Sequence, residues 1–356
     1  MFKKLHILLY LLISFTALAQ IPAYYNDIDF TKSGNDLKTQ LANLVTTTHT
    51  TVLPYTDTNG PIDTWRVIKQ SDLDPTNSAN VLLIYGYNDT DGIWSTDRTR
   101  SKDLSCHVSG CNGLWVREHT YPRSLGVPAL DDSSDPTPNT DVHHLRSIDN
   151  QRNNTRSNYP FGAGSGNSTL LGTSPQSFYP GDEWKGDVAR MMMYMYLRYG
   201  DRCAATRVGT GAATFSADMP NIFLQWNAED PVSQLEINKN NTNHTYQGNR
   251  NPFIDNPFIA KMIWSGPDAD NPWGLTLSIA VNALPHIKVY PTVTSGMVTI
   301  SNTKNTNITY KVYNTLGQQI TQSNHTTIDL STAISGIYFI HIQEDTAKQV
   351  YKVIKQ

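Results

Sequence analysis

The stretch that most restricts how this chain can fold runs from Trp115 to Asn158. It opens with Trp-Val-Arg-Glu-His-Thr-Tyr-Pro at 115–122 and crosses an acidic, Pro-containing loop. It continues as Asp141-Val-His-His-Leu-Arg and closes with Asn150-Gln-Arg-Asn-Asn-Thr-Arg-Ser-Asn158. Leu114, Trp115 and Val116 lead an apolar run into Glu118 and His119, and Pro122 stops a strand because it cannot donate to a ladder. Alternation points Glu118 and His119 to opposite faces of an ideal strand, so both can reach one site only where the strand ends or bulges. The residue types form a chemical set. A carboxylate, Glu118, holds a hard divalent cation through oxygen, and a histidine, His119, takes a proton from water near neutral pH. The segment from Gln151 to Asn158 offers an amide oxygen for a metal and guanidinium forks for phosphate. A base, a Lewis acid and donors aimed at developing charge are what phosphodiester hydrolysis requires.

Three motifs recur here in order: Glu118-His119-x-x-Pro122, Asp141-Val-His143-His144-Leu145 and Asn153-x-x-Arg156-Ser157-Asn158. Together they resemble the bacterial endonuclease I family, secreted non-specific nucleases with a ββα-metal (His-Me finger) site. Lys185-Gly-Asp-Val-Ala-Arg190 with Met191 to Tyr196 looks like the family's core helix. Arg250-Asn-Pro-Phe-Ile-Asp255-x-Pro257 with Ile263-Trp264 looks like its closing segment, and the resemblance spans residues 30–266. It implies an α+β nuclease domain in which the first motif ends one strand, the second forms the returning strand and the third lies on a helix. It further implies His119 as general base, with Arg156 holding phosphate. Among Asn150, Asn153, Asn154 and Asn158, it selects Asn153 to share one divalent ion with Glu118. That ion is expected to be Mg²⁺, with Ca²⁺ or Mn²⁺ as alternatives. Substrate contacts are expected from Arg117, Arg123, Arg146, Lys185, Arg190 and Arg250, and Arg152 is a further local cation. Adjacent His143 and His144 make poor zinc partners on a regular strand, and one of them is assigned a structural or phosphate-contacting role.

Residues 1–19 carry Lys3 and Lys4, an apolar run from Ile7 to Ile13 and Ala17-Leu18-Ala19, the pattern of a secretory signal peptide. That run is short for a membrane span, so no stable membrane insertion is expected. An oxidising compartment permits a small disulfide loop between Cys106 and Cys111, although Cys203 is an alternative partner for either. The formal net charge is −3 over 356 residues, against the basic balance usual in nucleic-acid binders. Binding must then come from a local patch, with Asp131, Asp132 and Asp135 turned away.

Before the central stretch, Leu37, Leu41 and Leu44 have helical spacing behind Ser33-Gly-Asn-Asp36. Thr64 to Lys69 starts a second helix, Asn80 to Tyr85 reads as a buried strand, and Asn88 to Asp103 reads as a surface loop. Beyond it, Trp184 to Tyr199 reads as a helix with a Met-rich core face. From Pro267 the character changes. Residues 267–284 read as a linker, and 285–356 carry short alternating runs separated by turns, the pattern of a small all-β sandwich. Val289-Tyr-Pro-Thr292, Gly336-Ile-Tyr338 and Lys352…Lys355 resemble the C-terminal sorting domain of type IX secretion cargo. The expected protein is thus a secreted or cell-surface monomer. It carries a nuclease domain at 20–266, takes DNA and RNA as substrate and has the type IX machinery as partner. The rival readings are an extracellular phosphodiesterase of other substrate class and a non-catalytic surface-binding protein on the same scaffold.

Overall fold

The computed structural model describes residues 19–108, 110–131, 137–277, 284–345 and 347–356. The expected signal peptide (but for Ala19), Asp132, Asp135 and residues 278–283 of the expected linker lie outside the described residues. The chain divides into two compact units, Met1–Leu277 and Ser278–Gln356.

In the first unit, α1 (Gly34–Thr47) buries Leu37, Leu41 and Val45. Leu44 is half-buried at the edge of this face. Helix α2 (Thr64–Ser71) starts directly after Pro61-Ile62-Asp63 because Asp63 accepts a capping bond from the Arg66 amide. Three short antiparallel strands follow: β1 (Leu73–Asp74), β2 (Asn77–Leu82) and β3 (Thr99–Ser101), in the order β1-β2-β3. The run expected as one strand to Tyr85 therefore stops at Leu82, and Tyr85 has φ 68. The presumed loop at 88–103 supplies β3, because Arg100 is drawn inward to Asp149 at 2.7 Å.

A two-stranded sheet pairs β4 (Trp115–His119) with β5 (Leu145–Asp149), with Glu118 opposite Arg146 and His119 opposite Leu145. Asp149 then caps α4 (Asn150–Arg156), its side chain accepting from the Arg152 amide. Along the chain β4, β5 and α4 follow one another, and two segments lie elsewhere than expected. Asp141 to His144 form a turn ahead of β5 rather than part of it, preceded by the single-turn α3 (Thr137–Thr140). Ser157 and Asn158 lie past the end of α4. A second small hairpin joins β6 (Thr169–Leu171) to β7 (Ser177–Tyr179).

Helix α5 (Lys185–Tyr199) is the centre of the unit. It is buried from Gly186 to Leu197, with no polar face, as expected of a helix enclosed on all sides. Around it lie α6 (Asn221–Glu229), α7 (Gln234–Gln247), α8 (Pro252–Asp255) and α9 (Phe258–Trp264). The segment expected as linker is partly built into this unit. Trp273 is buried with its ring 5.1 Å from Tyr25, and the Phe258 amide donates to Asp270 O at 3.1 Å. The unit therefore runs on to Leu277 because an aromatic side chain there completes its core.

The second unit has two sheets, β13-β10-β8 and β12-β11-β14-β15-β9. Their strands are β8 (Ile287–Tyr290), β9 (Val293–Thr294), β10 (Met297–Asn302), β11 (Thr309–Asn314), β12 (Gln319–Ser323), β13 (Thr327–Asp329), β14 (Gly336–Glu344) and β15 (Ala347–Lys355). Alternating side chains from both sheets, among them Val298, Ile300, Val312, Ile340 and Val353, form one apolar cluster.

Candidate active site

Strand β4 ends at His119, and its alternation separates the surroundings of the two key side chains. Glu118 points into the protein and is buried. Its Oε1 accepts a hydrogen bond from Tyr85 Oη at 3.1 Å and lies 3.3 Å from Arg156 Nε. Among the described residues no hydrogen bond reaches the other carboxylate oxygen. Burial pushes the Glu118 carboxyl up to about 7, while Arg156 and the Tyr85 bond pull it back down.

His119 is partly exposed. Its Nε2 lies 3.0 Å from Asn139 O. A carbonyl only accepts, so Nε2 carries the proton and Nδ1 keeps its lone pair in the neutral ring. Burial holds the imidazole well below the usual histidine range, and the neighbouring His144, Arg123 and Arg117 add to this. The ring packs 5.5 Å from Tyr55 and 5.5 Å from His144. The result is a neutral imidazole, oriented by a backbone carbonyl, at the end of a strand.

Asn153 lies on α4, half-buried, on the helix that packs against both β4 and β5. Arg156, one turn further on, is fully buried. Its guanidinium donates to Tyr159 O at 2.6 Å, Ser157 O at 3.3 Å and Thr120 O at 3.4 Å. It also lies 4.5 Å from the Phe161 ring centroid. The fork expected to face phosphate is turned inward, onto Glu118 and the chain on either side of the hairpin.

Two more cations of the expected substrate patch are also interior. Arg146 pairs with Asp187 at 2.9 Å and Asp72 at 3.3 Å, and Arg190 pairs with Glu236 at 2.6 Å. Lys239 joins them, 2.9 Å from Asp72, while also donating to Leu145 O at 2.9 Å. Asp72 in turn accepts from the Ser147 amide at 2.6 Å, so the network grips β5 by its backbone. Arg146 and Arg190 belong to this grip and are removed from the substrate-facing set. Sequence could not separate them from surface arginines, because a buried cation is tolerated only where acids from distant segments meet it.

The remaining candidates lie nearer to solvent. Arg123 is exposed just after the hairpin strand, its Nε donating to Leu130 O at 2.8 Å. Arg117 stacks between Tyr55 at 3.4 Å and Trp65 at 4.2 Å and donates to Thr64 Oγ1 at 2.7 Å. Lys185 pairs with Glu229 at 2.7 Å and Arg250 with Asp255 at 2.6 Å. Arg152 is committed to Ser95 O and Ser168 Oγ.

His143 and His144 are both buried. His144 Nε2 faces Pro138 O at 2.8 Å, and His143 Nε2 faces Asn249 O at 3.3 Å. Burial depresses both to about 4. Asp141, between them and the helical core, accepts from Tyr194 at 2.8 Å, Tyr199 at 2.7 Å and Gln247 at 2.9 Å. This second motif is therefore a structural hub. Among the described residues no group of three or more His, Cys, Asp or Glu is arranged to hold a metal, and a Glu–Asn pair completed by water is not such a group. Nothing local in the sequence ties Tyr85, Asn139 or Tyr55 to Glu118 and His119, which lie tens of positions away.

Residues 33–258 match the endonuclease I family. The chain belongs to that family. It is 35% identical over 259 residues to an extracellular ribonuclease of Bacillus subtilis (strain 168), covering 69% of this chain and 80% of that protein. It is 34% identical over 262 residues to the extracellular ribonuclease of Bacillus amyloliquefaciens, covering 70% and 80%. Residues 288–356 match the secretion system C-terminal sorting domain. A structure of PorZ, a surface component of the type IX secretion system of Porphyromonas gingivalis, aligns with 22% of this chain and 12% of that chain at 18% identity and a TM-score of 0.18. This endonuclease I family member is a nuclease, and it is secreted or held at the cell surface. Cys106 and Cys111 are disulfide-bonded, in keeping with that compartment, and Cys203 is buried outside the bridge. Among the described residues no helix is long and apolar enough to cross a membrane.

Proposed function

We propose that the chain hydrolyses phosphodiester bonds of RNA and DNA without base specificity, in a His-Me finger site. In this reading His119 is the general base, and Glu118 and Asn153 hold one divalent cation, Mg²⁺ before Ca²⁺ or Mn²⁺. The observation that carries it is the His119 geometry. With Nε2–H fixed on Asn139 O and the imidazole kept neutral, Nδ1 is left as an acceptor for a water proton. Activation of water requires no 2′-hydroxyl on the substrate, so both nucleic acids are suitable. The extracellular ribonuclease activity of the relatives supports RNA.

The donor set fits a hard cation. The Glu118 carboxylate oxygen that takes no hydrogen bond among the described residues and the Asn153 amide, on the helix packed against β4, would be oxygen ligands, with water filling the remaining positions. When bound, the ion supplies Lewis-acid stabilisation of charge on the phosphoryl group and the leaving 3′-oxygen. Glu118 is oriented for this by Tyr85 and Arg156, so Arg156 acts through Glu118 and the strand-end backbone. Arg123, exposed and close enough to influence His119, is the proposed phosphate contact. The test is cleavage of supercoiled plasmid, ribosomal RNA and a small phosphodiester by wild type and His119→Ala, each with and without chelator. Both polymers should be cut only by wild type with metal. Turnover confined to the small diester would favour a phosphodiesterase of another class.

A further inference from the structure

Beside β4 a run of rings continues away from His119. Tyr55 lies 5.5 Å from His119 and stacks on Arg117 at 3.4 Å. Arg117 in turn lies 4.2 Å from Trp65, and Trp65 lies 4.1 Å from His107 at an interplanar angle of 38°. Trp65 is buried while His107 is exposed, so the run starts at the candidate base and ends at the surface. There it lines a cavity of about 310 Å³, which Trp65 and His107 share with Thr56, Arg66, Lys69 and Ser105. The wall is continuous with the active site, since Thr56 Oγ1 accepts from Arg117, the residue before Glu118, at 3.1 Å.

The chemistry of this cavity is specific. Its two cations are Arg66, which is exposed, and Lys69, whose 3.4 Å pairing with the exposed Asp103 is a weak surface contact. Of the two carboxylates in its lining, Asp63 is buried and Asp57 half-buried, and both accept from backbone amides. Asp57 Oδ1 accepts from the Asn59 and Gly60 amides at 2.9 and 2.8 Å, and Asp63 accepts from the Asp57 and Arg66 amides at 3.0 Å each. His107 is fixed in place by a 3.1 Å contact to Ser105 Oγ and by the Cys106–Cys111 bridge that closes its loop. Burial against this wall and the charges of Arg117 and Lys69 hold its imidazole below the ordinary value, so the ring is neutral and stacks as an aromatic. The nuclease reading of the active site does not use His107, Trp65, Arg66 or Lys69.

Resting on that reading, we propose that the cavity is a subsite for an unpaired nucleobase of single-stranded RNA or DNA. The base stacks on the exposed ring of His107, which buried Trp65 backs, and Arg66 and Lys69 hold its flanking phosphate. Base–aromatic stacking tolerates any sequence because every base has a π-face, which fits a non-specific nuclease. Bases paired in a duplex keep their faces covered and cannot enter, so the subsite selects strand state rather than sequence.

The test measures binding apart from turnover, using the His119→Ala protein and a fluorescent single-stranded hexanucleotide read by anisotropy. Three ligands are compared: the hexamer, a hexamer with abasic positions and a hairpin that holds the same six bases paired. Adding His107→Ala should weaken the intact single strand by about fivefold, the low end of the stacking scale. It should leave the abasic and duplex ligands unchanged, and His107→Phe should restore the affinity. Replacing Arg66 and Lys69 by alanine should weaken the intact and abasic strands alike and flatten their salt dependence. Equal losses on single strand and duplex, or no loss with His107→Ala, would overturn the subsite. Plasmid cleavage by wild type is scored separately, so a missing subsite and a mistaken nuclease reading give different results.

Discussion

Arg156→Ala separates two roles that the residue type alone allows. If the guanidinium faced substrate, its loss would weaken nucleic-acid binding and make the slope of log affinity against log salt shallower by about one. The structure supports a different outcome. The substitution removes the partner 3.3 Å from buried Glu118, three hydrogen bonds to backbone carbonyls and the contact with Phe161. Breaking a buried ion pair by deleting one member costs about 3–5 kcal/mol. At roughly 2–4 °C per kcal/mol for a unit of this size, the melting temperature should fall by about 10 °C. Arg156 also draws the Glu118 carboxyl down from the value that burial alone would give. Without it more of the carboxyl is protonated at neutral pH, and more Mg²⁺ is needed to displace the proton. The assay is thermal melting and salt-dependent DNA binding on one variant, made on a His119→Ala background so that substrate survives. An unchanged melting temperature together with a shallower salt slope would refute the brace.

His119→Ala should lower nuclease turnover by about a hundredfold or more, the scale of general-base loss, and near-normal plasmid cleavage by the folded variant would contradict the assignment. Glu118→Ala and Asn153→Ala should each weaken Mg²⁺ binding in calorimetry, and unchanged affinity in both would place the ion elsewhere. His143 and His144 fall from 6.5 to about 4 in the folded protein. A depressed histidine stabilises the fold above its unfolded value and loses that contribution as pH falls through the folded one, so each should forfeit about 3 kcal/mol between pH 6.5 and 4. A urea midpoint that stays flat over that interval would count against their buried, neutral state. Truncation after Leu277 should leave an active nuclease, whereas truncation at Trp264 should destabilise it by removing Trp273 from the core. Equal melting temperatures for the two truncated proteins would contradict that boundary.

Much of the plan was legible in the residues. The ββα order was implied only by the resemblance of the three central motifs to a known family, whereas apolar spacing sufficed for the helices at Leu37 and at Trp184 to Tyr199, and alternating runs with turns sufficed for a separate β unit. Local pattern works there because strand, cap and turn depend on neighbours in sequence. What the pattern did not decide was which charges meet solvent. Arg146, Arg156 and Arg190 read like Arg123, yet three are enclosed and one is exposed. The difference lies in Asp72, Glu118, Asp187 and Glu236, which the fold brings to them from distant segments. The orientation of His119 likewise depends on Asn139, across the hairpin connection, and that of Glu118 on Tyr85, in the turn that follows β2. Desolvation and partner geometry are properties of assembled space, so a side chain's charge is written in the sequence, while its burial, its proton and its role are set only when the chain packs.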